Sequence, residues 1–464
     1  MSNYLAVDLG AESGRVMLAA LNAGRLSLEE LHRFPNEPVQ LPTGLYWDSF
    51  RLFHEIVRGL TIAGRERKLR VDGIGVDTWG VDFGLLGADG ALVDCPRHYR
   101  DRRTEGIPER LFKVVPREEV FAATGIQIMA LNSLYQWYAM WLADAPALET
   151  AHRLLFMPDL FNYWLIGVQR SEVTIASTSQ FYDSAKRCFA TGLLRKLCLS
   201  WNLLPELIEP GQKLGTLLPA IAEVTGLGAA PVYATASHDT AAAVAAVPAE
   251  GDDWCYISSG TWSLMGLELR APVINDASRT LNFTNEAGFG GSVRFLKNLA
   301  GLWPLQECRR AWATEGEKLS YEELTRLAEQ AGPARSFIDP DEFAQPGDMP
   351  ARIAAACGAR TKGEICRIIL ESLARRYREV LSGLENLTGK KIRTIHIVGG
   401  GSRNALLNQL TANATGRRVI AGPVEATAAG NALVQAVGAS EVADGREIRE
   451  IVRRSFAIGV FVPR

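Results

Sequence analysis

The sequence predicts an α/β protein made of two similar halves. A chain of 464 residues is too long for one ordinary hydrophobic core, so two domains of about 200 residues each are expected. Near the start, the pattern predicts three strands, a helix and a further strand, and the second half repeats this order of elements. We therefore predict domains at residues 1–247 and 248–464 with a ligand cleft between them.

The first half opens with short apolar runs that end in glycine or asparagine turns. These runs predict three antiparallel strands, a helix capped by Asp48 or Ser49 and a further strand. The predicted elements are Tyr4–Asp8, Arg15–Leu21, Leu26–Phe34, Asp48–Arg65 and Val71–Asp77. This order differs from the alternating strands and helices of a dinucleotide-binding domain.

The second half repeats that order after a polar turn at residues 248–253. The predicted strands are Trp254–Ser258, Leu264–Leu269, Thr280–Thr284, Arg393–Val398 and Arg418–Ala421. Helices are predicted around 302–331, 362–387, from Asn404, and over Glu425–Val437. The stretch 100–230 is predicted to be mostly helical.

Composition limits the classes of partner. The net charge is −2 and basic residues form no stripe, so neither nucleic acid nor an anionic membrane is an expected partner. No run of 18 apolar residues and no signal segment is visible. The seven cysteines are scattered, and Cys357 and Cys366 are expected to be reduced thiols. We expect a cytoplasmic protein, monomeric or a small homo-oligomer, that acts on small molecules.

Five turns carry the candidate chemistry, because the usual P-loop and dinucleotide fingerprints are missing. In the turn at 8–15, backbone amides suit phosphate oxygens, Asp8 suits a hydrated magnesium ion, and Arg15 suits phosphate charge. The alternative is a plain hairpin with permissive glycines. In the loop at 77–83, Gly80 allows close approach of a ligand, and Trp79 offers a flat face to a sugar or is simply a core residue.

The remaining three turns lie at 237–240, 258–263 and 399–404. Asp239 follows a predicted strand and starts an alanine-rich helix, where it is either a base for a hydroxyl group or an ordinary N-cap. The turn at 258–263 matches the first turn and suits outer phosphates, or is only a polar hairpin. Three consecutive glycines from Gly399 leave room for a flat ring such as adenine.

The order of these turns resembles that of the FGGY family of carbohydrate kinases. The resemblance covers nearly the whole chain and rests on the runs at 8–15, 77–83, 237–240, 258–266, 297–303 and 398–409. It implies two ribonuclease-H-like domains of the actin and hexokinase type, with ATP on the second-domain side and sugar on the first. Three of the runs are typical of one branch of the family, which implies transfer of the γ-phosphoryl group of ATP to the 1-hydroxyl of L-rhamnulose with Mg²⁺.

The resemblance also implies roles for individual residues. Asp239 matches the family's proton acceptor and also contacts the sugar. The other implied sugar contacts are Gly80, His238, Thr240 and Asn298, and the implied ATP contacts are Ala11, Ser13, Gly14, Arg15, Thr261, Gln306 and Gly401. Glu12 departs from the small hydroxyl residue of most members and is left out of the site.

Three alternatives remain at this stage. The first is a kinase of the same family for another sugar, such as fuculose, xylulose or a linear signalling sugar. The second is a non-catalytic sugar sensor, against which the intact Asp8, Asp239 and phosphate-type turns argue. The third is an actin-like ATPase, against which the loops at Trp79 and Asn298 argue because they suit a polyol better than a protein partner.

Overall fold

The first sheet contains the strands predicted for the first half. The computed structural model describes all 464 residues, 1–464. Six strands are joined in the order β5-β6-β4-β1-β2-β3. They are β1 (Ser2–Leu9), β2 (Ser13–Asn22), β3 (Arg25–Pro35), β4 (Gly73–Thr78), β5 (Lys213–Thr216) and β6 (Pro231–Tyr233). β1, β2 and β3 are antiparallel, whereas β4 is parallel to β1 and to β6.

The apolar runs form these strands because both faces of the central strands are covered. In β1, every side chain from Tyr4 to Leu9 is buried, as expected for a continuous apolar run rather than an alternating one. The helix that follows β3 begins where the sequence predicts, because the side chain of Asp48 accepts a hydrogen bond from the Arg51 N–H at 3.1 Å.

The second sheet repeats the arrangement. Its seven strands have the order β9-β10-β8-β7-β11-β12-β13. They are β7 (Trp254–Ser259), β8 (Ser263–Leu269), β9 (Thr284–Ala287), β10 (Val293–Leu299), β11 (Thr394–Val398), β12 (Arg418–Ala421) and β13 (Gly459–Phe461). β7 is antiparallel to β8 and parallel to β11, as β1 is to β2 and β4. The predicted repeat of element order is therefore confirmed.

One predicted strand of the second half is wrong. The strand next to β8 is β10, and the predicted segment Thr280–Thr284 contains the end of a helix and only the first residue of β9. Asn275 and Ser278 form a capping box that starts the helix Asp276–Thr280. Asn282 then adopts a φ of +53°, which ends the helix in a turn.

Helices and loops connect the strands. The labelled ones are α1 (Ser49–Thr61), α2 (Asp239–Ala245), α3 (Trp303–Thr314), α4 (Lys362–Thr388), α5 (Ala405–Thr415) and α6 (Ala426–Gly438). The others are Ile107–Leu111, Arg117–Thr124, Ser133–Leu142, Pro146–Thr150, Met157–Ile166, Val173–Ala176, Thr191–Lys196, Pro219–Thr225, Asp276–Thr280, Tyr321–Gln330, Met349–Cys357 and Gly445–Ser455, with a π-helix at Ile62–Glu66.

The region 100–230 is less purely helical than predicted. It contains short strands besides its helices, at Arg153–Phe156, Ser171–Glu172, Tyr182–Asp183, Cys188–Phe189, Leu207–Ile208 and Lys213–Thr216. Further short strands outside this region lie at Val39–Leu41, Gly44–Tyr46, Phe83–Leu86 and Leu92–Asp94. Large buried aromatic residues, among them Trp137 and Phe181, fill the core of this region.

The chain divides into two compact units. The first contains 1–246, 268–295 and 427–455, and the second contains 247–267, 296–426 and 456–464. Two later segments of the chain thus complete the first unit. None of the helices combines the length and the apolar character needed to cross a membrane. All seven cysteines are free, including Cys357 and Cys366.

Candidate active site

Three of the predicted turns come together in the first unit. Asp8 at the end of β1 and Asp77 near the end of β4 are register partners on adjacent parallel strands. The Thr78 N–H donates to the Ser237 carbonyl at 2.9 Å, and Thr78 forms a parallel bridge with His238. The sheet thus collects the runs at 8–15, 77–83 and 237–240 at one edge, where the carboxyl ends of parallel strands meet.

The turn between β1 and β2 presents one free backbone amide. The Gly10 N–H donates to the Ser13 carbonyl at 2.9 Å, so it is not available to a ligand, whereas the Ala11 N–H has no partner within the protein. Gly14 is required by close packing, because a Cβ there would lie 2.3 Å from the Phe34 ring. Glu12 is exposed.

The two carboxylates at the strand ends have different partners. Asp8 forms a 2.5 Å ion pair with Arg15, its cross-strand neighbour. Asp77 accepts a 2.5 Å hydrogen bond from the Asn431 side chain at Oδ2, while its Oδ1 is buried without a partner. Burial raises the pKa of Asp77 well above its usual range, and the nearby charge of Asp8 raises it further. Asn431 lies on α6 and is one of the residues that sequence reasoning missed.

Asp239 is the first residue of α2 and not its N-cap. His238 occupies the N-cap position and makes no side-chain capping bond, so the interpretation of Asp239 as an ordinary N-cap is wrong. The Asp239 Oδ1 atom accepts from the Thr240 N–H at 2.5 Å and from the Thr240 hydroxyl at 3.1 Å. No protein donor binds Oδ2, and 30% of the side chain is exposed, so a ligand can reach the carboxylate.

The protonation of Asp239 is shifted by its surroundings. Burial raises its pKa, and the nearby carboxylate of Asp8 raises it further. A carboxylate with a raised pKa binds a proton more strongly than an exposed aspartate does. Asp239 is therefore suited to accept a proton from a bound hydroxyl group.

The segment before Asp239 is held by Glu172, a residue that sequence reasoning missed. The Glu172 carboxylate accepts hydrogen bonds from the backbone N–H of Thr174, Ile175 and Ser237 at 2.9, 3.2 and 3.1 Å, and from the Thr174 hydroxyl at 2.5 Å. The same Thr174 oxygen accepts from the His238 N–H at 3.1 Å. Burial raises the pKa of Glu172 to about 7. No local pattern in the sequence links position 172 to 237.

The loop after β4 packs Gly80 against a protein side chain and decides between the two interpretations of Trp79. A Cβ at Gly80 would lie 3.2 Å from the Thr178 side chain. Trp79 is 4% exposed, and its ring centroid lies 4.0 Å from that of Trp47 in a tilted arrangement. Its indole N–H donates to Asp82 at 3.0 Å. Trp47 donates to the same carboxylate oxygen at 2.6 Å. Trp79 is therefore a core residue and offers no face to a sugar.

In the second unit, the turn between β7 and β8 mirrors the turn between β1 and β2. The Gly260 N–H donates to the Trp262 carbonyl at 2.8 Å. The Thr261 N–H, one residue further on, has no partner within the protein. Gly401 follows β11 and packs on this turn so closely that a Cβ would lie 2.0 Å from the Ser259 hydroxyl oxygen. The structure thus places Gly401 beside the end of β7, next to the turn that contains Thr261.

The start of α3 joins the same turn. The N–H groups of Leu302 and Trp303 donate to the carbonyls of Gly260 and Thr261 at 3.2 and 3.1 Å. Gln306 lies in the first turns of α3, and its Oε1 atom is buried without a hydrogen-bond partner. Asn298 lies on β10 in the second unit and is half-buried. The roles of Gln306 and Asn298 remain predictions.

The fold and the site define a two-domain kinase for small molecules that carry hydroxyl groups. The model of the N-terminal domain of the FGGY family of carbohydrate kinases matches residues 3–246, and the model of the C-terminal domain matches residues 255–439. The chain belongs to the FGGY family of carbohydrate kinases. Its substrates are therefore ATP and a sugar, and the predicted two-domain kinase fold is confirmed.

Two rhamnulokinases are similar to this chain over nearly the full length of both proteins. A rhamnulokinase from Bacteroides thetaiotaomicron is 45% identical over 100% of this chain and 96% of its own. A rhamnulokinase from Bacillus subtilis is 37% identical over 99% of this chain and 95% of its own.

Solved structures support the fold. A ligand-bound xylulose kinase from Lactobacillus acidophilus covers 100% of this chain and 94% of its own with a TM-score of 0.84 at 15% identity. A glycerol kinase from Plasmodium falciparum in complex with ADP covers the same shares with a TM-score of 0.79 at 14% identity.

Proposed function

We propose that this enzyme transfers the γ-phosphoryl group of ATP to the 1-hydroxyl of L-rhamnulose and releases L-rhamnulose 1-phosphate and ADP. Full-length similarity to several rhamnulokinases at 36–45% identity supports this substrate over other ketoses. The reaction belongs to the breakdown of L-rhamnose.

The observation that carries the proposal is the geometry of Asp239. Its Oδ1 atom is held by Thr240, and its Oδ2 atom is free and can be reached by a ligand. In this arrangement Asp239 accepts the proton of the sugar hydroxyl as that oxygen attacks the γ-phosphorus atom. Phosphoryl transfer requires little more from the protein than this base, alignment of the two substrates and compensation of charge.

In this proposal, residues 1–247 form the sugar-binding side and supply the base, and residues 248–464 form the ATP-binding side. Each side also contributes contacts to the other ligand. The free amides of Ala11 and Thr261 donate to phosphate oxygens. The other proposed ATP contacts are Ser13, Gly14, Arg15, Gln306 and Gly401, and the other proposed sugar contacts are Gly80, His238, Thr240 and Asn298.

The residues at the strand ends fit a magnesium ion. Asp8 and Asp77 are register partners, and the Asp77 Oδ1 atom is buried without a partner. Mg²⁺ in phosphate-transfer sites is held by one or two carboxylates, water and substrate oxygens. We assign Asp8, with Asp77 beside it, to hold the ion, which when bound compensates the charge of the phosphate groups.

Asp239→Asn tests the assignment of the base. Loss of the proton acceptor should lower kcat by a factor of about 100 or more, while the affinities for ATP and sugar measured by calorimetry stay near those of the wild type. Asp276→Asn is the matched control, because Asp276 is also the first residue of a helix but its side chain is 94% exposed. Turnover near the wild-type level in Asp239→Asn would remove Asp239 from the mechanism.

A panel of ketoses tests the substrate. ADP release is measured with L-rhamnulose, fuculose, xylulose and a linear sugar, and kcat/KM should be highest with L-rhamnulose. A higher value with another ketose would replace the proposed substrate, and sugar binding without any ADP release would favour a sensor.

We further propose that the enzyme works in the cytoplasm as a monomer or a small homo-oligomer. Seven free cysteines, of which three are buried, agree with a reducing compartment. Fractionation of cells and light scattering of the purified protein test these two statements.

A further inference from the structure

Arg294 is a fully buried arginine beside the proposed base. It lies on β10 with 0% of its surface exposed. Its Nε atom donates to the Ala287 carbonyl at 2.9 Å, and its Nη2 atom lies 3.0 Å from both a Glu286 carboxylate oxygen and the Nδ1 atom of His238. His238 in turn places its Nε2 atom 3.5 Å from the Asp239 Oδ1 atom. All four side chains belong to the first unit.

The guanidinium group determines which nitrogen of His238 carries the proton. Arginine only donates hydrogen bonds, so the Nδ1 atom that faces Nη2 must be an acceptor. His238 is then a neutral imidazole with its proton on Nε2, the nitrogen that faces Asp239. The Glu286 carboxylate lies 3.4 Å from the same Nδ1 atom. Without Arg294, this carboxylate would favour a proton on Nδ1 and a charged ring.

We propose that Arg294, paired with Glu286, is a positioning residue that holds His238 as the neutral Nε2–H tautomer and so directs an N–H donor towards the base and the sugar hydroxyl. The inference rests on the proposed role of Asp239. A charged imidazolium beside Asp239 would stabilise the ionised carboxylate and weaken it as a base. A neutral ring orients the hydroxyl without this loss.

A contribution to the stability of the fold does not by itself explain the buried ion pair of Arg294 and Glu286. A buried ion pair is often replaced by apolar residues of similar volume without loss of stability, because burying charge is costly. Arg294 also buries its Nη1 atom without any hydrogen-bond partner, which adds to the cost. The groups with charge that face the His238 ring are Asp239 from α2, Glu286 from β9 and Arg294 from β10.

The test measures directly which nitrogen of the His238 ring carries a proton. Two-bond ¹H–¹⁵N spectra of the substrate-free enzyme, labelled on its six histidines and assigned with a His238→Gln variant, distinguish the two tautomers and the imidazolium. The wild type should show the Nε2–H tautomer of His238 at neutral pH, because Arg294 donates to Nδ1. In Arg294→Met, a proton should appear on Nδ1, because the Glu286 carboxylate then faces this atom alone, and kcat/KM for the sugar should fall about 100-fold. Arg294→Lys should recover part of both.

A second variant keeps the proposal testable if Arg294→Met does not fold. Glu286→Leu combined with Arg294→Met removes both charges, so it should fold, and His238 should then show a mixture of tautomers because nothing occupies Nδ1. Arg449→Met is the control: it breaks an ion pair with Glu268 elsewhere in the unit and should change neither the spectrum nor the KM for the sugar.

Two results would overturn the proposal. They are a proton on Nδ1 in the wild type, or an unchanged Nε2–H signal in both the single and the double variant. Because the spectra are recorded without substrate, their outcome does not depend on the activity of Asp239→Asn.

Discussion

Gly430 packs closely against the helix that begins at Asp239. Gly430 on α6 faces α2, and a Cβ added at Gly430 would lie 1.8 Å from the Ala242 carbonyl oxygen. Ordinary van der Waals contact begins at 3.4 Å, so Gly430→Ala would have to separate these atoms by the difference, about 1.6 Å. The obstacle is backbone and cannot rotate away. Ala242 lies on the helix whose first residue is Asp239, so the displacement moves the proposed base.

The expected loss of activity is larger than the expected loss of stability. Overpacking a core costs about 1–3 kcal/mol, and the better helix propensity of alanine returns about 1 kcal/mol. The net change in the free energy of unfolding is therefore about 0–2 kcal/mol. A misplacement of about 1 Å in a catalytic group lowers the rate about 100-fold. Gly430→Ala should thus remain folded but lose most of its turnover.

The assay combines urea unfolding with steady-state kinetics at saturating ATP and sugar. Gly192→Ala is the matched control, because Gly192 also lies in a helix and a Cβ there would meet nothing within 4 Å. The control should keep full activity and gain a little stability. Wild-type kcat in Gly430→Ala would refute the reasoning, since it would show that α2 moves without moving Asp239 or that α6 gives way instead.

Two further predictions concern ATP binding and pH. Gly401→Ala should raise the KM for ATP about tenfold and leave the KM for sugar unchanged, because its Cβ would lie 2.0 Å from the Ser259 hydroxyl oxygen; an unchanged KM for ATP in initial-rate measurements would contradict the ATP site. Glu172 has a pKa raised to about 7 from 4.5, so the stability that its protonated form provides is present below pH 4.5 and is lost as pH rises through about 7. Relative to Glu172→Gln, the wild type should lose about 3 kcal/mol of unfolding free energy over that range, as measured by urea titration at several pH values. If the unfolding free energies of the two proteins change in parallel with pH, Glu172 does not titrate in this range.

Elements with strong local signals were predictable from the sequence. The helix α4 begins at Lys362 because Thr361 and Glu364 form a capping box, and the sequence predicts its start at the same residue. The strand Arg418–Ala421 was predicted with its observed bounds. The order of five turns pointed to the chemistry because each turn follows a strand of apolar residues, and such strands are recognisable without knowledge of their partners.

The strand β10 was missed because its sequence looks polar. It contains Arg294, Lys297 and Asn298, and a buried strand is normally recognised by apolar residues. Arg294 is buried there only because Glu286 and His238 provide its partners. The sequence leaves Trp79 open between a sugar contact and a core residue for a related reason: it does not show that Asp82 accepts from the Trp79 indole N–H and from Trp47 as well.

The support of Asp239 comes from distant parts of the chain, which explains why the residue alone was ambiguous. Glu172 holds Ser237 across 65 residues, and Arg294 holds His238 across 56. Gly430 then sets the distance of α2 from α6. A base must be held closely to act, since alignment and charge are most of what phosphoryl transfer requires from a protein. Substitutions of Glu172, Arg294 or Gly430 should therefore change kcat, although these residues are not proposed to contact either substrate. Substitutions of Thr261 or Gly401 should instead change the KM for ATP.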